Sequence, residues 1–298
     1  MISDPKGVFS AVLTPFNDDL TVDVAAYLDH CRWLLAEGCD GIAALGTTGE
    51  AASLSLAERF ALLGALADAG ITGDKLILGT GSCALPDAIA LTKCAVESGA
   101  PHVLVLPPFY FKNPSEDGLY AYYARLIDAV GSDALRVYLY HIPQTSAVGI
   151  PHGLIVRLRR GFGAIIAGAK DSSFDFANMQ AMLALVPDFR VFSGSETLLV
   201  PLLQAGGVGC ITAGSNIFPK LTADTYKLWR AGKAAEASQE ALTAARKSLD
   251  GAPQIPAMKA LLARARNKPS WRNVRPPFTP LGDAEAAAAA ARAAAHLP

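Results

Sequence analysis

Short apolar segments typical of buried strands alternate along this chain with longer segments that have helical periodicity, and the pattern occurs eight times. The predicted strands span residues 8–14, 41–45, 76–79, 102–106, 136–140, 165–170, 189–193 and 209–212. The predicted helices span residues 23–37, 56–69, 85–98, 115–130, 154–158, 176–186, 198–205 and 221–231. Such alternation produces a parallel sheet covered by helices. Eight units are the number that closes a (β/α)8 barrel.

An open, doubly wound sheet is the alternative arrangement of the same units. It would usually carry a glycine-rich phosphate loop after its first strand, but the chain reads Thr14-Pro15-Phe16-Asn17 there. We therefore predict an α/β protein with a catalytic TIM barrel over residues 1–232. A helical extension is predicted over residues 233–298, with helices at 234–249, 256–265 and 283–295.

Composition narrows the functional classes. The chain has 298 residues, of which 51% are hydrophobic, so a large core is possible. A formal net charge of -1 argues against a nucleic-acid partner. The sequence lacks both an apolar run of about 18 residues and the apolar core of a signal peptide. We expect a cytoplasmic enzyme that does not bind a membrane.

Cysteine and histidine spacing does not favour a metal site. The five cysteines are odd in number, form no Cys-x-x-Cys pair and lie mostly in apolar segments, so we expect buried thiols. The five histidines lack a spacing such as His-x-x-x-His. The sequence therefore predicts neither a metal nor a separate cofactor.

Lys170 is the most informative candidate for chemistry. It ends the apolar segment 164–170, and the polar turn Asp171-Ser172-Ser173 follows it. Burial disfavours the charged ammonium form, and a lysine that is neutral part of the time can form a Schiff base with a carbonyl carbon. The alternative is a lysine that merely ends a strand with its stem buried and its amine in water.

Further polar residues follow other predicted strands, at the end of a barrel where active sites form. They are Thr14, Thr47, Thr48, Tyr110, Tyr140 and the pair Ser193-Gly194. A phenol beside an amine can move protons, and threonine hydroxyls can relay a proton or hold a carboxylate. Each also has a structural interpretation: a hydrogen-bonded strand tyrosine, an ordinary Gly-Thr turn, or an exposed loop aromatic. Their shared placement favours a common site.

Six motifs together resemble the dihydrodipicolinate synthase / N-acetylneuraminate lyase family of pyruvate-handling class I aldolases. The motifs are Gly46-Thr47-Thr48-Gly49-Glu50, Pro107-Pro108-Phe109-Tyr110, Tyr140-His141-Ile142-Pro143, Gly168-Ala169-Lys170-Asp171, Ser193-Gly194-Ser195 and Pro276-Pro277-Phe278. The likeness covers nearly the whole chain. The order and spacing of the six motifs are specific for the family, but they are far less specific for the substrate.

The resemblance implies catalytic roles for four residues. Lys170 corresponds to the lysine that forms a Schiff base with pyruvate or another 2-oxo acid. Tyr140 corresponds to the general acid/base beside it. Thr48 corresponds to the relay hydroxyl, and Tyr110 to the aromatic donated across a subunit contact to complete the relay.

The resemblance also implies how substrate is held. Thr47 and Thr48 are expected to bind the pyruvate carboxylate, with Gly194 and the Ile211 carbonyl lining the same pocket. Family members are commonly tetramers built from pairs of dimers, so a homo-oligomer, dimer or tetramer, is implied. The chemistry needs no cofactor beyond the lysine imine.

The chain departs from the synthase pattern after Tyr140. Synthases carry Tyr-Asn-x-Pro-x-Arg, whereas this chain has His141 in place of the asparagine and Thr145 in place of the arginine that holds the aldehyde's carboxylate. Threonine cannot form a bidentate, charge-assisted clamp. Both changes argue against lysine-pathway synthesis.

Two other segments, 193–196 and 213–216, are similar to those of 2-keto-3-deoxy-sugar-acid aldolases. In those enzymes the residues matching Glu196 and Ser172 face the substrate's hydroxyl groups. Glu196 is equally well interpreted as a first-turn acid favoured by the helix dipole.

We therefore predict a class I aldolase acting on pyruvate or 2-oxo acids, of the 2-keto-3-deoxy-sugar-acid type. One alternative is 4-hydroxy-tetrahydrodipicolinate synthase, with another cation replacing the arginine. A dehydratase of keto-deoxy acids and a non-catalytic barrel that binds an oxo acid stay open as well.

Overall fold

A computed structural model describes residues 4–297 of the chain. Eight parallel strands close, in chain order, into one barrel, because β1 pairs with both β2 and β8. The strands are β1 (Gly7–Ala11), β2 (Gly41–Ala44), β3 (Leu76–Gly79), β4 (His102–Val105), β5 (Arg136–His141), β6 (Ile166–Asp171), β7 (Arg190–Ser193) and β8 (Gly209–Thr212). The predicted (β/α)8 barrel is confirmed, and the open sheet is excluded.

The predicted helices are present, with ends that agree to within a few residues. They are α1 (Val24–Ala36), α2 (Leu56–Asp68), α3 (Leu85–Glu97), α4 (Glu116–Val130), α5 (Pro143–Ser146), α6 (His152–Phe162), α7 (Phe176–Leu185), α8 (Leu199–Gln204), α9 (Pro219–Arg230), α10 (Glu236–Lys247), α11 (Gln254–Ala265) and α12 (Asp283–Ala293). Ser115 caps α4 by accepting a hydrogen bond from the Gly118 amide. Among the described α-helices, only α5 has no counterpart in the sequence prediction, since one turn is too short to show a period.

The barrel interior is filled by side chains. Phe192 forms edge-to-face contacts with Phe9 and Tyr138, with ring centroids 5.9 and 5.7 Å apart. Tyr138 and Tyr140 lie in the same interior cluster because alternate residues of a strand share a face. These aromatic side chains therefore fill the barrel interior below the carboxyl ends of the strands.

The last three helices, α10 to α12, belong to the C-terminal extension. A cluster of buried apolar residues joins α11 and Trp271 to the segments that follow β1 and β8, including Leu13 and Phe218. The extension therefore packs against the carboxyl-terminal end of the barrel, beside the loops that carry the candidate residues.

A buried histidine lies at this junction. The Arg266 guanidinium lies 2.8 Å from His30 Nδ1, so that this nitrogen accepts, and His30 Nε2 lies 3.0 Å from the Asn216 side-chain oxygen. Burial, aided by the charge of Arg266, lowers the pKa of His30 to about 3. Asn216 in turn donates to the carbonyls of Ala11 and Ala213, so a neutral His30 helps to fasten the extension to the barrel.

Three of the five thiols, those of Cys31, Cys39 and Cys210, are buried as predicted, whereas Cys94 is half-buried and Cys83 is exposed. Within residues 4–297, none of the helices combines the length and the apolar character that a bilayer crossing requires.

Candidate active site

Strand register brings Tyr140 and Lys170 together. Tyr140 on β5 is the pairing partner of Lys170 on β6. The register shifts lower down, where Val137 pairs with Ile166 but Tyr138 pairs with Gly168. Such a bulge re-aims side chains, and this one accommodates Ala167 so that Lys170 and Tyr140 face each other.

The Lys170 amine is enclosed and faces the phenol. The residue is 6% exposed, and Nζ donates to Tyr140 Oη over 3.3 Å. Nζ also lies 4.5 Å from the centroid of the Tyr140 ring. A primary amine held beside a proton donor and acceptor is the arrangement that imine chemistry needs.

Tyr140 has an acidified phenol. Burial by itself raises the pKa of Tyr140, but the charge of Lys170 and hydrogen bonds from Thr47, Lys170 and Ser172 outweigh burial and place this pKa below its ordinary value of 10.0. A phenol with a lowered pKa accepts and returns protons more readily near neutral pH. The surroundings of Tyr140 therefore favour a role in acid–base catalysis.

The threonine within reach of the phenol is Thr47. Its Oγ1 lies 3.4 Å from Tyr140 Oη, whereas Thr48 is buried beside it in the same turn. The resemblance gave the relay to Thr48, but the geometry places the first threonine of the motif at the phenol. Alternating side-chain directions within a tight turn cannot be derived from spacing alone.

Ser172 and Gly194 lie against each other near Tyr140. The Ser172 hydroxyl helps to lower the pKa of Tyr140, and the Ser172 carbonyl accepts a hydrogen bond from the Gln144 side chain at 2.6 Å. A β-carbon on Gly194 would lie 2.0 Å from Ser172 Oγ, so only glycine fits there. The structure therefore brings Gly194, predicted to line the pocket, close to Ser172, predicted to face the substrate's hydroxyl groups, and both roles stay predictions.

The other predicted binding residues have different surroundings. Ile211 lies on β8 with its side chain in the barrel interior. Glu196 is buried, accepts a hydrogen bond from the Ser215 amide at 3.1 Å and lies 3.8 Å from the Arg246 guanidinium. These contacts give Glu196 partners within the protein. A role in holding substrate stays a prediction for both residues.

Tyr110 does not join the cluster within one chain. It is 73% exposed, and its ring packs edge-to-face on the exposed Phe111 at 5.4 Å. Lys112 fastens this loop to the segment after β5 by donating to the carbonyl of Ser146 at 3.2 Å. Donation of Tyr110 across a subunit contact stays a prediction.

His141 and Thr145, which depart from the synthase pattern, follow Tyr140 along the chain. His141 Nδ1 accepts the Ile150 amide at 3.0 Å, and burial lowers the pKa of His141 below its ordinary value of 6.5. Thr145 is exposed on α5.

Among the described residues, His, Cys, Asp and Glu side chains form no group of three that could hold a metal ion.

The sequence prediction missed a buried ion pair behind the threonine turn. Glu50 ends the Gly46–Glu50 motif, and Lys259 of α11 donates to its carboxylate. The available signal was a lone lysine within a largely apolar helix, because lysine is rarely buried unless it is paired.

The dihydrodipicolinate synthetase family matches the chain over residues 4–296. An uncharacterized DapA-like lyase of Chloroflexus aurantiacus is 39% identical over 289 residues, which cover 96% of this chain and 95% of that protein. A 4-hydroxy-tetrahydrodipicolinate synthase of Rhodospirillum centenum is 35% identical over 232 residues, covering 78% of this chain and 77% of that protein.

Solved structures agree with this relationship. A prophage protein of the dihydrodipicolinic acid synthase family from E. coli K12, solved in complex with pyruvate, has a TM-score of 0.87 and 26% identity, covering 97% of each chain. A variant of Sulfolobus solfataricus 2-keto-3-deoxygluconate aldolase has a TM-score of 0.86 and 26% identity, covering 98% of this chain and 96% of that one.

Proposed function

The chain belongs to the dihydrodipicolinate synthetase family, and from that premise we propose that this lyase forms or cleaves a carbon–carbon bond through an imine between Lys170 and pyruvate or another 2-oxo acid. The observation that carries the proposal is the enclosed Lys170 amine 3.3 Å from the acidified phenol of Tyr140. The family shared with a pyruvate-bound structure supports the same substrate class.

The proposed reaction begins when the neutral Lys170 amine adds to the keto carbon. Water then leaves from the carbinolamine, with Tyr140 delivering the proton, and a protonated imine is formed. The imine nitrogen accepts the electron pair when the bond to the aldehyde carbon breaks, while Tyr140 takes the proton of the hydroxyl that becomes the aldehyde. The reverse sequence joins pyruvate to an aldehyde.

Two neighbouring groups complete this proposal. We assign the relay to Thr47 because its hydroxyl lies within reach of the phenol. The amides and hydroxyls of Thr47 and Thr48 hold the substrate carboxylate, as the resemblance implies. Ser172 also influences the Tyr140 phenol, and its hydroxyl is assigned to a contact with a substrate hydroxyl.

For the second substrate we propose a sugar-derived aldehyde, which makes the enzyme a 2-keto-3-deoxy-sugar-acid aldolase. Thr145 stands where synthases carry the arginine that holds a carboxylate, and a threonine is a poor partner for a charged aldehyde. Similarity to a 2-keto-3-deoxygluconate aldolase supports this choice. The second candidate is 4-hydroxy-tetrahydrodipicolinate synthase, favoured by the name of a relative that is 35% identical.

We further propose that the working unit is a homo-oligomer, a dimer or tetramer in which Tyr110 of one subunit completes the relay of the next. The support is the exposure of Tyr110 and Phe111 together on one loop. Isolated large apolar side chains on a surface are ordinary, but paired exposed aromatics favour a contact. A cytoplasmic location is part of the same proposal.

A substrate panel tests the proposed reaction. Pyruvate release from 2-keto-3-deoxy sugar acids, and pyruvate consumption with glyceraldehyde, are the expected results. Consumption of pyruvate with aspartate semialdehyde alone would identify the synthase, and loss of water without cleavage would identify the dehydratase. Absence of any turnover across the panel would support a barrel that only binds an oxo acid.

A further inference from the structure

Glu50 and Lys259 form an ion pair that no step of the proposed reaction uses. Both side chains are 0% exposed, and Lys259 Nζ donates to Glu50 Oε1 and, at 2.8 Å, to the carbonyl of Asn273. The other carboxylate oxygen accepts the Arg275 amide at 3.1 Å. The carboxylate of a glutamate in the barrel loop is thus held by Lys259 and Arg275 of the C-terminal extension.

Burying the two charges of this ion pair carries a desolvation penalty that opposes any gain in stability. Burial lowers the pKa of Lys259 to about 8 even though Glu50 raises it, so desolvation is only partly offset. Replacing a buried ion pair with apolar residues of similar volume is often neutral or stabilising. Stability alone therefore does not explain why two charges lie here.

The turn that the pair holds is unusual in its backbone. Glu50 has a φ of 55°, in the left-handed region that non-glycine residues rarely adopt. Its amide donates to the Thr47 carbonyl at 3.0 Å, and the Ala51 amide donates to Gly46 at 3.2 Å. A strained residue persists only where its surroundings fix it, and Glu50 is bonded directly to the turn that carries Thr47.

The neighbouring loop is fastened to the same point. Phe16 is buried and contacts two cations, with Lys259 Nζ 4.2 Å and the Arg275 guanidinium carbon 4.7 Å from its ring centroid. The Thr14 hydroxyl donates to the Gly49 carbonyl at 2.8 Å. The segments after β1 and β2 are therefore tied to each other and to α11.

We propose that the buried ion pair of Glu50 and Lys259 positions Thr47 against Tyr140, so that the C-terminal extension sets the geometry of the proton relay. Neither residue touches the reacting atoms; both act through the backbone of the turn. The inference rests on the proposed function, because it needs the hydroxyl of Thr47 to serve the imine at Lys170.

A double-mutant cycle tests the coupling. Thr47→Val is introduced into the wild type, into Glu50→Gln/Lys259→Met, and into Asp23→Asn/Lys268→Met. The last is the control, because Lys268 and Asp23 form another ion pair between the extension and the barrel, at the start of α1. The readout is the rate at which borohydride traps pyruvate on each full-length protein, with melting temperature recorded in parallel.

Thr47→Val is expected to slow trapping by about tenfold or more in the wild type and in the control, the scale of a lost proton-transfer group. In Glu50→Gln/Lys259→Met, trapping is already slow, and Thr47→Val adds less than about twofold because the hydroxyl is no longer in place. If the double variant does not fold, Glu50→Gln alone, which keeps the side-chain shape, provides the background.

An equal effect of Thr47→Val in the wild type and in the ion-pair variant would overturn the inference while leaving the proposed function intact. A purely structural pair would lower the melting temperature without changing that factor. A wild type that traps no pyruvate would overturn the proposed function, and this inference with it.

Discussion

The phenol oxygen of Tyr140 lies 3.3 Å from the amine nitrogen of Lys170, and the two residues are register partners on neighbouring strands. Paired strands hold such a contact more rigidly than loops do, because the ladder hydrogen bonds fix both backbones. The sheet itself therefore positions the proposed nucleophile, Lys170, against its proposed acid–base partner, Tyr140. The groups around them are held by loops and by the C-terminal helices.

Removal of the phenol hydroxyl should remove proton transfer. Tyr140→Phe is expected to lower turnover by about two to four orders of magnitude, the usual contribution of a positioned acid–base group. Steady-state kinetics with pyruvate and the best aldehyde of the panel measure it.

Tyr138→Phe is the matched control for this change. Tyr138 lies two positions earlier on the same face of β5, and its hydroxyl is buried without a hydrogen-bond partner among the described residues. Turnover should stay near the wild-type value, and stability should hold or rise, since an unsatisfied hydroxyl is removed. Equal losses in the two variants would point to a packing effect.

Replacing Thr47 and replacing Thr48 should have different effects on the pH dependence of turnover. The hydrogen bond from Thr47 helps to lower the pKa of Tyr140, so Thr47→Val should raise that pKa and move the acidic limb of the kcat profile to higher pH. Thr48→Val should leave this limb in place. A shift with Thr48→Val and none with Thr47→Val would restore the relay to Thr48.

The sequence predicted the barrel because its signal is repeated. Each strand is a short apolar segment followed by a polar turn. Eight such strand–helix units are the number that closes a (β/α)8 barrel, so the count itself predicts the fold. Lys170 and Tyr140 were identifiable for the same reason, since each comes at or near the end of a strand and strand ends converge.

Other features depend on side-chain direction and on distant contacts. The choice between Thr47 and Thr48 is decided by the shape of a turn with a left-handed residue at Glu50. The pairing of Glu50 with Lys259 joins positions 209 residues apart, and periodicity carries no information on such contacts. The helix α5 is a single turn, too short for a hydrophobic period to form.

Shared sites predict rescue between two inactive proteins. If Tyr110 serves the neighbouring subunit, Tyr110→Ala and Lys170→Met subunits assembled together should form hetero-oligomers with one intact site per pair. Activity should therefore return when the two variants are co-expressed, although each alone is impaired. Co-expression that restores no activity, in a mixture shown to contain hetero-oligomers, would mean that Tyr110 does not act across a subunit contact.

Acid should weaken the junction between the barrel and its extension. The pKa of His30 falls from 6.5 to about 3 in the folded protein because the ring is buried. The unfolded chain therefore binds a proton first as pH falls, so the stabilising contribution is present above about pH 6.5 and is lost toward pH 3, by up to about 1.4 kcal/mol per pH unit.

Urea unfolding across that pH range measures the loss. His30→Gln should be less stable than the wild type near neutral pH, because it loses packing and a hydrogen bond, but its stability should fall less steeply with acid. Parallel curves for the two proteins would exclude His30 as the source of the dependence.

The central claim is that Lys170 forms a covalent imine with pyruvate. The most direct measurement is peptide mass mapping after the protein has been treated with pyruvate and borohydride. The expected result is one reduced pyruvyl group on the peptide that contains Lys170, and no adduct on that peptide in Lys170→Ala. An absent adduct in the wild type, or an undiminished one in Lys170→Ala, would contradict the proposed chemistry.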